Sequence, residues 1–404
     1  MNTCSNAVLF LLLSLLLASC TTETTTAGLP EEAEERPADW LFRQRAYPIG
    51  ENDHKAYKRA VQYRSQVQAM QQGLEKDLNT TPWKFDGPLN VGGRITDVEV
   101  IPGTPRTILV GAASGGVFRS TNEGATWDAT VDDMPTLAIG DLAIAPSNTN
   151  IVYAGTGVAN AGGGSLAYDG LGVFRSTDGG LNWESRGVND VGSIGRVVVD
   201  PTDPDRLYVA AMGTLVANND ERGVFRSLEG GQNWGQVLFL SDSTGAVDLA
   251  IHPSDPMTIY AAMWERVRRP NRRQYTGITS GIYKSTDGCS TWQELGNGLP
   301  TAPNDKGRIS LAIAPSDPNR VYAGFVNSSG FLANMMQSNN AGASWTNVPT
   351  ETLQVVPFDW WFNRVVVDPS DAEQLYYVGF NINKYIPIEE RWELRFNGAH
   401  VDQH

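Results

Sequence analysis

Three side chains at the end of the sequence have the types and spacing of metal ligands. His400, Asp402 and His404 stand at positions i, i+2 and i+4, and a β-strand turns residues at that spacing toward one side. Imidazole and carboxylate groups suit zinc or a similar divalent ion. The pattern predicts a metal site that needs further ligands from elsewhere, with a polar motif of an inner strand as the alternative. No other cofactor is expected.

A second candidate site is an arginine-rich stretch, 264–275, in an otherwise acidic protein. Arginine side chains bind carboxylates through paired hydrogen bonds, and tryptophan and tyrosine rings offer stacking faces for sugar rings or peptides. The stretch therefore predicts a ligand-binding loop, with a solvated charged loop as the alternative. The candidate contacts are Trp264, Arg268, Arg269, Arg272, Arg273 and Tyr275.

A third group of polar residues opens six copies of a short apolar segment that ends at a proline, such as 141–146. Small residues alternate there with Leu, Ile and Val, which suits the innermost strand of a β-propeller blade. Polar side chains that open such strands would meet around a central axis, where they line a channel or bind water, an ion or a ligand. They are Asp97, Asp141, Arg196, Asp248, Ser310 and Arg364.

The element that positions these groups is an octapeptide that occurs five times, with the sequence Ser-Thr-Asp-Gly-Gly-Leu-Asn-Trp at 176–183. The copies recur every 50 to 60 residues, roughly the length of four short strands with their turns and the period of a propeller blade. Oxygen atoms at the first and third positions can accept hydrogen bonds from turn amides, and glycine supplies the positive φ of a hairpin turn. The final tryptophan is expected to pack between neighbouring blades. The key positions are Ser120, Asn122, Trp127, Ser176, Asp178, Trp183, Ser227, Glu229, Trp234, Ser285, Asp287, Trp292, Ser338, Asn340 and Trp345.

The octapeptide resembles the Asp-box, or BNR, repeat of a family that includes sialidases, xyloglucan-degrading glycosidases and sortilin-like receptors. The resemblance covers 81–404 and implies an all-β fold, a β-propeller of four-stranded blades, of which about six are present. The family's aspartate is retained as Asp178 and Asp287 but replaced by Asn122, Glu229 and Asn340. Because such an exchange would be odd for a catalytic acid, we expect these side chains to hold the turn together.

The face opposite these hairpins is the candidate ligand surface. Loops between the second and third strands of each blade share that face, and their lengths differ from blade to blade. Length variation on one face is how repeat folds build a binding surface. We therefore expect a non-catalytic propeller that binds protein or glycan ligands on this loop face.

The alternative is a glycoside hydrolase of the sialidase or xyloglucanase type. A sialidase-like enzyme would use three arginines and a tyrosine nucleophile, but 307–310 lacks the proline of the family's Arg-Ile-Pro motif. A xyloglucanase-like enzyme would use two opposed carboxylates between two propellers, and the sequence has residues for one propeller. No catalytic residue is therefore assigned from the sequence.

The N-terminus has the pattern of an export signal. An apolar run from 7 to 18 is too short to span a membrane and is typical of a signal peptide. Leu17-Ala18-Ser19-Cys20 resembles a bacterial lipobox, which implies removal of 1–19, lipidation of Cys20 and an outer-membrane lipoprotein of a Gram-negative envelope. Ordinary secretory cleavage is the alternative. Residues 20–38 are rich in Thr and Glu and predict a disordered tether.

Residues 39–80 predict a helical N-terminal extension. Apolar residues at helical spacing would form one stripe that docks against the propeller. The stripe contains Ala56, Ala60, Tyr63, Val67, Met70, Leu74 and Leu78.

The sixth blade has no recognisable octapeptide, and 400–404 resembles the start of a seventh inner strand. A propeller closes by packing its last blade against its first. We therefore expect a truncated protein whose ring is open between the first and last blades.

The acidic composition argues against one class of partner. The net charge is −14 and the pI is near 4.8, so nucleic-acid phosphates would be repelled rather than neutralised. The expected partners are a protein or glycan ligand, and a membrane through the lipid anchor only.

Overall fold

The computed structural model of the chain describes residues 55–71, 93–103, 105–131, 134–160, 168–268 and 275–396, together with a few positions between 40 and 53. Helix α1 (Ala56–Gln71) precedes the strands. Among these described residues, no helix has both the length and the apolar character needed to cross a membrane.

The strands form six antiparallel sheets, or blades, each built from four strands that are consecutive in the described sequence. Blade 1 contains β1 (Ile95–Ile101), β2 (Thr107–Ala112), β3 (Gly116–Ser120) and β4 (Asp128–Ala129). Blade 2 contains β5 (Ile139–Ile144), β6 (Val152–Thr156), β7 (Val173–Ser176) and β8 (Glu184–Ser185). Blade 3 contains β9 (Ile194–Val199), β10 (Leu207–Ala211), β11 (Gly223–Ser227) and β12 (Gly235–Leu238).

The other three blades repeat this order. Blade 4 contains β13 (Thr244–Ile251), β14 (Ile259–Glu265), β15 (Gly281–Ser285) and β16 (Gln293–Glu294). Blade 5 contains β17 (Ile309–Ala314), β18 (Asp317–Val326), β19 (Leu332–Ser338) and β20 (Thr346–Val348). Blade 6 contains β21 (Arg364–Val367), β22 (Leu375–Val378), β23 (Ile382–Ile386) and β24 (Arg391–Phe396), and short 3₁₀ turns occur at Pro303–Asp305 and Pro387–Glu389.

The blades form a propeller ring. Their first strands pack side by side in sequence order from β1 to β21. The second strand of each blade lies between the first and third strands of the same sheet. Every residue of β6 and β10 is buried. Their Val, Tyr, Leu and Ala side chains suit strands that are covered on both faces. The predicted all-β propeller of four-stranded blades is confirmed.

The octapeptide of blade 2 forms an internally hydrogen-bonded hairpin turn. The Ser176 hydroxyl donates to Asp178 Oδ1 at 2.7 Å and accepts the N–H of Gly180 at 2.9 Å. Gly180 adopts a φ of 88°, which glycine tolerates without a steric cost. Burial opposes ionisation of Asp178, but hydrogen bonds from Asn182 and Ser176 outweigh it and lower its pKa to about 2.

Asparagine performs the same task in blades 1 and 5. Asn122 Oδ1 accepts the N–H of Thr126 at 2.9 Å, and Asn340 Oδ1 accepts the N–H of Ser344 at 2.9 Å. The exchange of aspartate for asparagine therefore preserves the acceptor oxygen and not the charge. This geometry fits a structural role for the third octapeptide position.

The octapeptide tryptophans of blades 2 and 3 join each of these blades to the blade before it. Trp183 Nε1 donates to Thr130 Oγ1 at 3.3 Å, just after β4, and Trp234 Nε1 donates to the Arg186 carbonyl at 2.6 Å, just after β8. Blade 6 lacks the octapeptide, but Trp392 on β24 donates through Nε1 to the Pro349 carbonyl, just after β20, at 2.8 Å. Trp392 thus makes the same contact between blades from a different strand.

Blades 6 and 1 are separated by an open seam. Val98 on β1 and Val366 on β21 are 52% and 43% exposed. Leu142 occupies on β5 the position that Val98 has on β1, yet it is 1% exposed because it packs against blade 1. Trp127, the octapeptide tryptophan of blade 1, is also 43% exposed. Among the described residues, this seam lies where the opening between the first and last blades is expected, and truncation of the protein stays a prediction.

One contact crosses the seam on the loop face. The Arg94 guanidinium, just before β1, lies 5.3 Å from the centre of the Trp361 ring, just before β21. A cation over an aromatic face is attracted by the ring's electron density. The seam is therefore bridged at the loop face while the valines nearer the axis stay exposed.

Helix α1 contacts the propeller through a different face from the predicted one. Lys58 Nζ lies 2.6 Å from Asp190 Oδ1, and Val61 packs against the apolar cluster shared by blades 1 and 2. Tyr63 and Met70 of the predicted stripe are 68% and 75% exposed. The expectation that the stripe docks is wrong for these residues, because the Lys58 ion pair and Val61 turn another side of α1 toward blade 2.

Candidate functional site

Four of the residues predicted at the channel mouth come together in the structure. Arg196 Nε lies 2.9 Å from Asp248 Oδ1, and Arg196 Nη1 lies 3.4 Å from Asp141 Oδ1. Arg364 Nη2 lies 3.8 Å from the same Asp141 oxygen. Strands from blades 2, 3, 4 and 6 thus place a charged network around the propeller axis.

These side chains also connect the inner strands of successive blades. Asp97 accepts the N–H of Leu142 at 3.1 Å, and Asp141 accepts the N–H of Val197 at 2.7 Å. In each pair, a carboxylate of one blade accepts a hydrogen bond from a backbone N–H of the next blade. The buried N–H group therefore has an acceptor.

The pattern continues farther round the ring. Asp248 accepts the N–H of Leu311 at 2.9 Å, and Ser310 accepts the N–H of Val365 at 3.0 Å. Channel lining with a structural role, the alternative offered by the sequence, therefore accounts for these hydrogen bonds.

A further acid, Glu99, belongs to this network although it was not among the sequence candidates. Burial raises the pKa of Glu99 to about 8, and the nearby Asp97 and Asp141 carboxylates add to the shift. Burial also raises the pKa of Asp141 to about 7. The spacing of Asp97 and Glu99 was the available signal, because residues i and i+2 share one face of a strand.

Asp248 behaves differently from Asp141. Burial opposes its ionisation, but the guanidinium groups of Arg196 and Arg364 outweigh that effect and lower the pKa of Asp248. One acid of the network therefore stays ionised while Glu99 retains a proton near neutral pH.

A central cavity of about 430 Å³ adjoins this network. Its lining includes Asp97, Arg196 and Arg364 on the polar side and Val98 and Val366 on the seam side. Polar groups that converge on a cavity with apolar walls are typical of small-molecule sites. The central cavity is therefore the candidate site for ligand chemistry.

The arginine-rich stretch is anchored by a buried aromatic cluster. Trp264 is 1% exposed and donates through Nε1 to the Tyr275 carbonyl at 2.8 Å. The Tyr275 ring stacks on Trp360, with ring centres 4.7 Å apart, and the Arg266 guanidinium lies 4.7 Å from the centre of Tyr275. The prediction that Trp264 offers a stacking face to a sugar is corrected, because its ring is enclosed by this cluster.

The other candidates of this stretch are only partly described. The Arg268 N–H donates to the Leu215 carbonyl at 2.6 Å, so its backbone is tied to the loop of blade 3. Arg269, Arg272 and Arg273 lie outside the described residues. Ligand binding by these arginines stays a prediction.

A buried arginine fixes the neighbouring loop before β21. Arg308 donates through Nη1 to the carbonyls of Phe362, at 2.9 Å, and Trp361. Burial lowers the pKa of Arg308 to about 9. In the same loop, Asp359 accepts the N–H of Leu332 at 2.9 Å, and burial raises its pKa to about 6. These contacts hold the loop in place beside the aromatic cluster.

Two sequence predictions fall outside the described residues. His400, Asp402 and His404 follow the last described strand, and Cys20 precedes the first described residue. Among the residues that the structure does describe, no group of three or more His, Cys, Asp or Glu side chains is arranged to hold a metal ion.

Comparison with curated proteins finds xyloglucanases among the similar sequences. No family model matches the chain. The chain is 22% identical to a protein of Neosartorya fischeri described as a probable oligoxyloglucan-reducing end-specific xyloglucanase, over 75% of this chain and 39% of that protein. It is 22% identical to a xyloglucanase of Hypocrea jecorina, over 64% of this chain and 34% of that protein. It is 26% identical to a xyloglucanase of Acetivibrio thermocellus, over 54% and 28%.

Solved structures of the same class are also similar. An ancestral GH74 enzyme matches with a TM-score of 0.48 and 19% identity, over 66% of this chain and 32% of that chain. The GH74 xyloglucanase from Xanthomonas campestris matches with a TM-score of 0.42 and 17% identity, over 77% and 55%. The chain spans less than two fifths of the length of the curated relatives named here.

Proposed function

We propose that this chain is a glycoside hydrolase-like propeller that recognises xyloglucan or a related polysaccharide. The observation that carries the proposal is its similarity to xyloglucanases over 54% to 75% of its length. Binding on the loop face fits the fold, because the loops there are the part that differs most between blades. The non-catalytic binder favoured by the sequence becomes the second candidate.

Glu99 and Asp97 are the proposed catalytic pair. Hydrolysis of a glycosidic bond uses one carboxyl group that holds a proton and a second that is ionised. Glu99, with a pKa of about 8, would protonate the leaving oxygen. Asp97, two positions earlier on β1, would stabilise the sugar cation or activate water. Asp97 lines the central cavity, and Glu99 lies two positions farther along the same strand.

The second candidate, binding without cleavage, is favoured by a specific observation. Asp97 already accepts the Leu142 N–H, so part of its hydrogen-bonding capacity serves the joint between blades 1 and 2. This structural role accounts for the Asp97 carboxylate without a catalytic function.

Hydrolysis and binding can be measured on the same preparation. The protein is incubated with tamarind-type xyloglucan, and reducing ends are quantified for the wild type, Glu99→Gln and the exposed control Glu351→Gln. We expect release by the wild type and the control, and at least a tenfold loss for Glu99→Gln because the proton donor is gone. Binding without release supports the second candidate. Absence of both would contradict the proposed function.

We also propose that the chain is exported and held at an outer membrane through a lipid on Cys20. The basis is the resemblance of 17–20 to a lipobox. An envelope location would give a polysaccharide-acting protein access to polymers that do not enter the cytoplasm.

A further inference from the structure

A second cavity, here called the outer cleft, lies between blades 5 and 6 on the face that carries the octapeptide hairpins. Its volume is about 270 Å³, and its lining includes Arg320, Gln337 and Asn339 from blade 5 and Glu373 and Tyr385 from blade 6. The cleft shares no lining residue with the central cavity and lies on the opposite face from the proposed loop surface. It is therefore distinct from the central cavity.

The outer cleft exists where blade 6 departs from the repeat. In place of an octapeptide, β23 and β24 are joined by the short turn Pro387–Glu389. Pro387 and Glu390 of this connection line the cleft, while Trp392 makes the blade contact from β24 instead. Because this turn stands in place of an octapeptide hairpin, the outer cleft remains open beside it.

The blade 5 wall presents amide groups that the fold does not use. Gln337 and Met335 lie on the same face of β19. Val348, the residue of β20 that pairs with Met335, is buried in the apolar cluster shared with blade 6. The side-chain amides of Gln337 and Asn339 make no hydrogen bond to another residue within the described ranges. Each amide offers both a donor and an acceptor, which is what recognition of a sugar hydroxyl requires.

The remaining walls disfavour an anionic ligand. Arg320 Nη1 lies 3.1 Å from Glu373 Oε1, so this cation and anion offset each other, and Glu390 adds a negative charge to the lining. Tyr385 on β23 also lines the cleft, and the centre of its ring lies 5.1 Å from that of Trp392. An aromatic side chain at this position can pack against the C–H face of a sugar. The Tyr322 hydroxyl closes the floor by donating to the Ala372 carbonyl at 2.9 Å.

We propose that the outer cleft is a secondary subsite for a neutral sugar unit of a polysaccharide. Its volume is just below the roughly 300 to 1,000 Å³ of ordinary ligand pockets, which suits one short unit rather than a long chain. A second contact on the far face would raise the effective affinity of a multivalent polymer for the protein. The subsite rests on the proposed function for the identity of the polysaccharide.

The test compares the double variant Gln337→Ala/Asn339→Ala with the matched control Gln293→Ala, an exposed amide on β16 of blade 4. Xyloglucan oligosaccharides are titrated into each protein by calorimetry, and thermal melting confirms that every variant is folded. We expect two sites per wild-type chain and per control chain, and one site in the double variant. Tyr385→Leu should weaken the same site at least fivefold.

The outcomes separate the two proposals. If the double variant keeps both sites with unchanged affinity, the outer cleft is not a sugar site, although the proposed function stands. If the wild type binds one oligosaccharide and the double variant does too, the subsite is likewise overturned. If the wild type binds no oligosaccharide or polymer, the proposed function fails together with the subsite.

Discussion

Asp141 Oδ2 in blade 2 accepts the backbone N–H of Val197 in blade 3 at 2.7 Å, and this single bond joins two inner strands beside the propeller axis. The other oxygen of Asp141 lies 3.4 Å from Arg196 Nη1. A side chain that was a candidate ligand contact is thus also part of the joint between blades. The ring and the candidate site share these residues, so a variant of the network is expected to change stability as well as function.

Replacement of Asp141 by alanine should destabilise the protein strongly. The change leaves Arg196 without one of its carboxylates and the Val197 N–H without its acceptor. Removing one partner of a buried ion pair costs about 3 to 5 kcal/mol. Urea denaturation measures the difference, and Asp128→Ala on β4 serves as the exposed control, with a change within about 0.5 kcal/mol. A loss for Asp141→Ala as small as the control's would contradict this structural role.

The stability of the protein should fall as the pH rises from about 5 to 8, in part through Glu99. Its pKa is raised to about 8 in the folded protein, so the folded state binds more protons than the unfolded state in that window. Stability then decreases with pH. Glu99→Gln should match the wild type near pH 5 and exceed its melting temperature near pH 8. Parallel profiles for the two proteins would show that Glu99 is not the group responsible.

Tryptophans at the same octapeptide position should differ in their contribution to stability. Trp345 is 4% exposed between blades 4 and 5, whereas Trp127 faces the seam and is 43% exposed. Trp345→Ala should reduce the free energy of unfolding by about 3 to 5 kcal/mol through loss of buried packing. Trp127→Ala should cost about 1 kcal/mol or less. Equal losses would mean that the seam is covered in solution.

The lipid anchor is testable without structural information. Cys20→Ala should abolish labelling by a fatty-acid analogue and move the protein from the membrane fraction to the soluble fraction, because the thiol is the attachment point. Ser19→Ala is the neighbouring control and should leave both properties unchanged. Membrane association of Cys20→Ala equal to that of the wild type would contradict the lipoprotein assignment.

The sequence predicted the parts of the fold that depend on local turn chemistry. The spacing of Ser176, Asp178 and Trp183 recurs in every octapeptide, and the hydrogen bonds of that turn are set within eight residues. The alternation of small and large apolar residues between the turns predicted the strands of the blades, because this pattern is also set by residues close together in the sequence. Trp392 was not recognised as the blade 6 substitute, because it makes the same contact from a strand that carries no octapeptide.

The candidate site was harder to predict because its properties depend on contacts between distant blades. The sequence predicts Trp264 as an exposed aromatic residue beside arginines. In the structure, Tyr275 and Trp360 enclose it. Glu99 is one acid of many in the sequence, and only burial near Asp97 and Asp141 raises its pKa. Apolar spacing on α1 likewise gave no sign that Lys58 would pair with Asp190.

Electrophoresis of the purified protein through gels with and without xyloglucan tests the central claim most directly. Recognition of the polysaccharide predicts retarded migration in the xyloglucan gel, with no retardation in a gel that contains an unrelated polymer such as dextran. Equal mobility in all gels, for a protein shown to be folded by its melting transition, would contradict the account.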